Sequence, residues 1–288
     1  LPIHCTGLEY KQHGRVFAYQ EWGSTKNSYD VMNNVSLPAQ FKPSEKKVSI
    51  LISSYNTKAA HVKSCLESIK NQLGTIFFEI IWINDGSDKI HTVLLKKLLE
   101  NFKETTRFCN VIYNENDGNK GIGFTLNKGV QMCSNEIIIK MDSDDIMVPE
   151  RIEKQYTFMR NNPEIAICGG QIKMFQDETN RFVSATNHPD ITWNTYKKNP
   201  THWFINHPTV CYRKSKIIEA GNYNVNLKEM AEDFELELRM LKTFGKIVNL
   251  PDILLFYRLH KNQITYKGGK KGKKYWDTVR NNIINDVM

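Results

Sequence analysis

Apolar positions change their period along the chain, and each change marks an element. Val48-Ser49-Ile50-Leu51-Ile52 is a short run rich in β-branched residues and reads as a buried strand. Val62, Cys65, Leu66, Ile69 and Leu73 then recur at helical spacing. The alternation continues with a strand near Phe78 to Ile83, a helix carrying Leu94, Leu95, Leu98, Leu99 and Phe102, and a strand near Phe108 to Tyr113. A helix through Leu126, Val130 and Cys133 leads into the strand Ile137-Ile138-Ile139-Lys140-Met141. Strands and helices alternating at this spacing predict right-handed βαβ units and a mostly parallel sheet, so residues 48–145 read as a nucleotide-binding half-domain.

Beyond Pro149, which reads as the first-turn proline of a helix from Glu150 to Asn161, the pattern loosens. Short strands are predicted at Ile165 to Cys168, Ile172 to Phe175 and Arg181 to Ser184, followed by a polar loop through Trp203 and His207. A strand near Thr209 to Tyr212, an amphipathic helix with Phe234, Leu238, Leu241 and Phe244 on one stripe, and a strand at Ile253 to Tyr257 complete a smaller mixed region, residues 146–265. Residues 1–47 show little periodicity and read as an extension, with Leu8, Tyr10, Val16, Phe17, Tyr19 and Trp22 making a small hairpin. Residues 266–288 begin with the basic, Gly-rich stretch Lys267 to Lys274 and end in a helix.

Composition narrows the class without naming it. A chain of 288 residues, 40% hydrophobic and 24% charged, is large enough for one catalytic-sized domain with appendages. No apolar segment approaches the roughly 20 residues needed to span a bilayer, and the amino end carries no basic-then-apolar leader, although a chain beginning at Leu1 leaves an upstream segment open. The six cysteines are dispersed and form no C-x-x-C pair, which predicts buried free thiols and a reducing setting, in the cytoplasm or peripherally on the cytoplasmic face of a membrane. A net charge of +8 suits a phosphorylated partner, and a bound nucleotide satisfies it as well as a nucleic acid would.

The densest candidate chemistry is Asp142-Ser143-Asp144-Asp145, three carboxylates at the carboxyl end of a predicted buried strand. Carboxylates this close repel unless a cation or a proton neutralises them, and strand ends in open α/β sheets are where ligands bind. Helix capping is the competing reading for Asp144 and Asp145. An EF-hand loop is excluded, because Ile146 and Met147 occupy the positions of a ligand and the turn glycine. Two polar turns, Ser53-Ser54-Tyr55-Asn56 and Asn84-Asp85-Gly86-Ser87-Asp88, follow the first two strands at the same edge. There Tyr55 can stack on a base and Asp85 can accept from a ring N–H, or both segments simply build turns. Gly118 to Gly123 has neither the dinucleotide nor the P-loop spacing; it reads as a tight turn from which Lys120 can approach phosphate. Glu232-Asp233 opens the amphipathic helix, where acids also serve the helix dipole.

In sequence order, Val48 to Asn56, Ile80 to Asp88, Asn119-Lys120-Gly121 with Asn127-Lys128-Gly129, Asp142 to Asp145, His207-Pro208-Thr209, Glu232-Asp233 and Tyr257-Arg258-Leu259-His260 resemble the motifs of family 2 glycosyltransferases with the GT-A fold. The resemblance covers roughly residues 48–265. It implies an α/β GT-A fold and a metal-dependent enzyme that moves a sugar from a nucleotide diphosphate sugar, a UDP-sugar, to an acceptor hydroxyl with inversion. Ser53, Ser54 and Tyr55 match the nucleotide contact and Asp85 the base-recognising acid, with Asn84 in place of the usual first Asp; Lys120 and Ser143 join the nucleotide group. Asp142 and Asp144 match the D-x-D motif, Asp142 facing the ribose and joining Asp144 in holding Mn2+ or Mg2+, while Asp145 orients the loop or caps the next helix. Asp233 matches the general base and Glu232 its positioning partner. His260 completes the metal shell or touches the diphosphate, and Trp203 and His207 fall on the acceptor side.

The partners so implied are a nucleotide-sugar donor and a glycan, lipid-linked or protein acceptor, with no nucleic acid. The basic tail reads as a lid, a peripheral membrane contact or a solvated loop. Two other classes compete: a sugar-nucleotide nucleotidyltransferase, which wants a basic Gly-rich loop that Ser53-Ser54-Tyr55 does not supply, and a non-catalytic nucleotide- or glycan-binding module.

Overall fold

The computed structural model describes residues 47–106, 109–227, 230–261, 263 and 275–285. The expected amino-terminal hairpin and the stretch Lys267 to Lys274 lie outside the described residues. The amino-terminal half runs β1 (Lys47–Ser54), α1 (Ala59–Lys70), β2 (Phe77–Asn84), α2 (Lys89–Thr105), β3 (Cys109–Glu115), α3 (Ile122–Met132) and β4 (Ile137–Asp142). These strands pair in parallel in the order β3-β2-β1-β4. Because α1 and α2 pack on one face with Val48, Ile50 and Ile52, and α3 covers the other against Leu51, the central strands are apolar on both sides. In α2 the buried stripe is Leu95, Leu99 and Phe102, whereas Leu94, expected among the packed residues, is exposed.

The second half comprises β5 (Ile146–Met147), α4 (Arg151–Asn161), β6 (Ile167–Gln176), β7 (Phe182–Ala185), β8 (Ile191–Thr192) and α5 (Trp193–Lys198). A 3-10 turn (His207–Thr209), β9 (Cys211–Arg213), α6 (Lys214–Glu219), α7 (Glu232–Phe244), β10 (Lys246–Leu259) and a helix over residues 275–284, α8, follow. Strand β9 inserts antiparallel between β4 and β6, and β10 runs parallel to β6, so the α/β sheet is mixed on this side.

Several elements differ from the pattern-based expectation for local reasons. The two strands predicted at 165–168 and 172–175 are one, β6, because Gly169 and Gly170 carry it past Ile205 and Leu254 where a Cβ would clash. The strand predicted at 253–257 is the middle of a 14-residue strand, interrupted by a register shift between Leu250 and Ile253, where Pro251 cannot donate. Thr209 belongs to the 3-10 turn rather than to a strand. Pro149 precedes α4, whose N-cap is Glu150. No described helix is long and apolar enough to cross a membrane. Cys65, Cys133, Cys168 and Cys211 are buried free thiols, and Cys109 is partly buried.

Candidate functional site

Helices α1 and α3 pack on opposite faces of the sheet, and β1 and β4 lie side by side with their carboxyl ends at the edge where such sheets bind ligands. Ser53 pairs there with Asp142 across the two strands. Ser54 is buried and accepts from Trp82 Nε1 at 2.9 Å, so its hydroxyl fastens β1 to β2. Tyr55 projects at the rim, 52% exposed. Beside it, Asn56 adopts a left-handed backbone (φ 49°), and its amide and side chain bond Ser87 and the Asp88 backbone. The first two loops are thereby tied together.

Asp85 is buried, and its carboxylate accepts from Asn116 Nδ2 at 2.8 Å and from the backbone amides of Lys120 at 2.9 Å and Gly121 at 3.0 Å. It therefore builds the 116–121 turn, with about one of a carboxylate's four acceptor positions left over. Gly86 (φ 68°) makes the approach possible, since a Cβ there would stand 2.2 Å from the Gly118 carbonyl carbon. The Lys120 ammonium bonds Asp117 at 2.8 Å on the surface.

The acidic quartet divides its members. Ser143 Oγ lies 2.8 Å from Thr57 Oγ1. The antiparallel pairing of β5 with Leu255 and Phe256 brings the end of β10 against the loop. Asp144 Oδ2 consequently meets His260 Nε2 at 2.8 Å, both side chains being partly accessible. Arg258 donates its backbone amide to Asp145 Oδ1 at 2.8 Å and its Nε to the Asp144 carbonyl at 2.7 Å. Asp145 is fully buried, and burial, then the charges of Asp144 and Asp142, push its carboxyl well above the usual range. It orients the loop and does not cap α4, whose start receives no side-chain cap.

A second acidic group lies on the facing helix. Ala231, a non-glycine residue held at φ 65°, turns the chain into α7 so that Glu232 and Asp233 open its first turn. His207, Glu232 and Asp233 bring ligand-type atoms within 4.8 Å of one another. His207 is buried with Nε2 2.8 Å from the Tyr223 hydroxyl, and desolvation, then Lys140, lower its pKa well below the ordinary value, so the ring is neutral. Burial, with the charge of Asp233, raises Glu232 to about 8; Asp233 is also raised, first by burial, while the Phe234 amide and Lys140 oppose the rise. Both shifts favour the protonated form; Glu232 is buried, whereas Asp233 beside it remains partly accessible.

Lys140 joins the two groups, and the pattern of the sequence conceals it inside an apolar run. It is 1% exposed on β4 and forms an ion pair with Asp142, while its charge also acts on Glu232, Asp233 and the buried Glu237. A charged residue at an inward strand position was the available signal, because lysine is almost never fully buried without a partner. With that cation acting on its two carboxyls and Tyr223 on His207, the His207–Glu232–Asp233 group combines a neutral imidazole, a buried carboxyl and a partly accessible one.

The acceptor-side candidates separate. Phe204 is buried against Phe234, whereas Trp203 is 52% exposed and stands edge-on to His188, ring centroids 5.1 Å apart. His202, on the other side of Trp203, packs on Phe234 and bonds Asp277 of α8 at 2.9 Å. The loop therefore runs along the start of α7, and Trp203 is its exposed aromatic surface.

The model of "Glycosyl transferase family 2" matches residues 49–220. The "Amylovoran biosynthesis glycosyltransferase AmsE" of Erwinia amylovora is 31% identical over 244 residues, 82% of each chain. The Escherichia coli "UDP-Gal:alpha-D-GlcNAc-diphosphoundecaprenol beta-1,3-galactosyltransferase" is 27% identical over 78% of each. Among solved structures, S. aureus TarS 1-349 in complex with UDP-GlcNAc superposes with a TM-score of 0.64 at 19% identity, covering 82% of this chain and 65% of that one. The mannosyltransferase PcManGT of Pyrobaculum calidifontis, in complex with GDP-Man and Mn2+, gives 0.57 at 11%, covering 83% and 65%. The chain thus spans less than two thirds of these solved chains, and the likeness shows the shared GT-A fold. With the family model covering more than half of the sequence and a 31% identical relative covering four-fifths of it, the chain belongs to glycosyl transferase family 2 and is a glycosyltransferase.

Proposed function

We propose that the chain moves a sugar from a uridine diphosphate sugar to an acceptor hydroxyl with inversion, using a divalent cation held by Asp144 and His260. The observation that carries this reading is Lys140, which pairs with Asp142 beside the partly accessible Asp144–His260 pair and whose charge also acts on the buried Glu232 and the partly accessible Asp233. Asp144 Oδ2 and His260 Nε2, 2.8 Å apart, are a carboxylate and an imidazole converging on one point, a donor set that fits Mn2+ better than the all-oxygen preference of Mg2+. Asp142 completes it or faces the ribose. A cation bound there supplies positive charge to the diphosphate as the sugar–phosphate bond breaks.

The protein's own groups do the rest. Tyr55 stacks on the base at the rim, and the residual acceptor position of Asp85 takes a ring N–H, with Ser53, Ser143 and Lys120 around the nucleotide. Asp233, partly accessible beside the buried Glu232, removes the proton from the acceptor hydroxyl on the face opposite the leaving diphosphate. His207 shapes that wall from its bond to Tyr223, and Trp203 offers a flat apolar surface to a sugar ring of the acceptor. The name of the galactosyltransferase relative supports a lipid-diphosphate-linked glycan as acceptor. An acceptor held at a membrane also suits the basic Lys267 to Lys274 stretch.

A screen of nucleotide sugars with Mn2+, with Mg2+ and with chelator tests the proposal. A UDP-sugar should be turned over with Mn2+ and not with chelator. Equal turnover with chelator refutes the metal assignment, and turnover of guanosine donors alone refutes the uridine assignment.

A further inference from the structure

Asp177 belongs to none of the motifs above, yet three basic side chains converge on it. It follows β6 directly, and its backbone amide bonds the Leu259 carbonyl at 3.1 Å, which ties the end of β6 to the end of β10. Its Oδ1 accepts from Arg258 Nη1 at 2.9 Å and faces His61 Nε2 at 2.9 Å; its Oδ2 lies 3.0 Å from the same His61 nitrogen and 3.4 Å from Lys58 Nζ. The side chains of Arg258 and His61 are 7% and 6% exposed. A guanidinium this desolvated is held by its acceptors, and here they are Asp177 and the Asp144 carbonyl.

Both buried arms of this carboxylate reach the same place. Through Arg258 it reaches the Asp144 carbonyl at 2.7 Å and, by the Arg258 amide, the Asp145 carboxylate at 2.8 Å. Through His61 it reaches the ring of His260, with centroids 5.3 Å apart. Asp144 and His260 are the two groups that meet at 2.8 Å. We propose that Asp177 is a positioning residue that locks the Arg258 guanidinium and the His61 ring, and through them fixes Asp144 and His260 in the arrangement that receives the divalent cation. The inference rests on the metal reading given above. Asp177 contributes no ligand; it fixes the loop on one side and the imidazole on the other, and partners of this kind set metal affinity as the ligands do.

The test measures Mn2+ affinity by loss of the free-ion EPR signal, at fixed UDP with a protein-free UDP blank, for the wild type, Asp177→Asn, Asp177→Glu and Asp144→Asn. Asp177→Asn keeps the shape of the side chain and removes the charge that holds Arg258; it should weaken Mn2+ binding by about tenfold. Asp177→Glu, which keeps the charge, should recover part of that loss, and Asp144→Asn should bind least. In parallel, 15N NMR should find His61 neutral with its proton on Nε2 in the wild type and a changed tautomer balance in Asp177→Asn. Wild-type Mn2+ affinity in Asp177→Asn, with Asp144→Asn impaired, overturns the role of Asp177. Wild-type affinity in Asp144→Asn overturns the metal reading instead. An unchanged His61 spectrum in Asp177→Asn also contradicts the proposal, whatever the stability of the variant.

Discussion

The two acidic clusters at the carboxyl edge of the sheet differ in their surroundings. Asp144 and His260 remain partly accessible, and Arg258 of β10 backs their loop. Glu232 is buried and Asp233 beside it partly accessible, next to the buried His207, with the charge of Lys140 acting on both. Burial raises the Glu232 and Asp233 carboxyls, while Asp144 stands against an imidazole at a partly accessible site; under the proposed function these surroundings suit proton transfer at the first pair and cation binding at the second.

Removing Lys140 should blur the distinction most. Lys140→Met leaves Asp142 unpaired and the Glu232–Asp233 pair without its compensating charge, and breaking a buried pair from one side costs about 3 kcal/mol. Urea unfolding should show that loss, and transfer should need a higher pH because Asp233 holds its proton more tightly. Next in size, His260→Ala should weaken Mn2+ binding by about thirtyfold, roughly 2 kcal/mol, while leaving unfolding at neutral pH almost unchanged. Calorimetric titration of the ion separates it from the Lys140 variant.

Glu232→Gln sharpens the buried side. The carboxyl has an ordinary value of 4.5 and is raised to about 8 in the fold, so between those values the folded protein keeps a proton that the unfolded chain has released. Stability therefore falls as pH rises through that window. Glutamine cannot titrate, so thermal melting of the variant should change less between pH 5 and pH 9 and should exceed the wild type at pH 9, by on the order of 2 kcal/mol. The smallest effect belongs to the rim. Trp203→Ala should raise the acceptor KM severalfold, about 1 kcal/mol, with donor KM and melting temperature unchanged in steady-state and melting measurements.

The half of the molecule built from parallel strands was legible in the sequence, because each polar turn follows its strand directly and the apolar periods are clean. The pattern alone places Ser53, Asp85 and Asp142 at one edge, where the strand pairing has them. The other half was less legible, since its groups arrive from a 3-10 turn, a helix start and the end of a strand whose middle alone looked like a strand. Lys140 was hidden by its apolar neighbours, and Asp177 by an ordinary polar turn. What joins Asp177 to Asp144 is the pairing of β5 with β10, Met147 with Leu255, two elements far apart in the sequence, which local pattern does not encode. Asp85 gives the converse case: its place was legible, but its three bonds to the 116–121 turn were not.

The separation of the two clusters is tested most directly by Asp233→Asn, with UDP binding measured calorimetrically in the presence of Mn2+ and transfer measured on the same preparation. The account predicts wild-type UDP affinity and a fall in the transfer rate of about a thousandfold, the loss of a general base. Transfer within a few fold of wild type, or UDP affinity lost together with transfer, would contradict it.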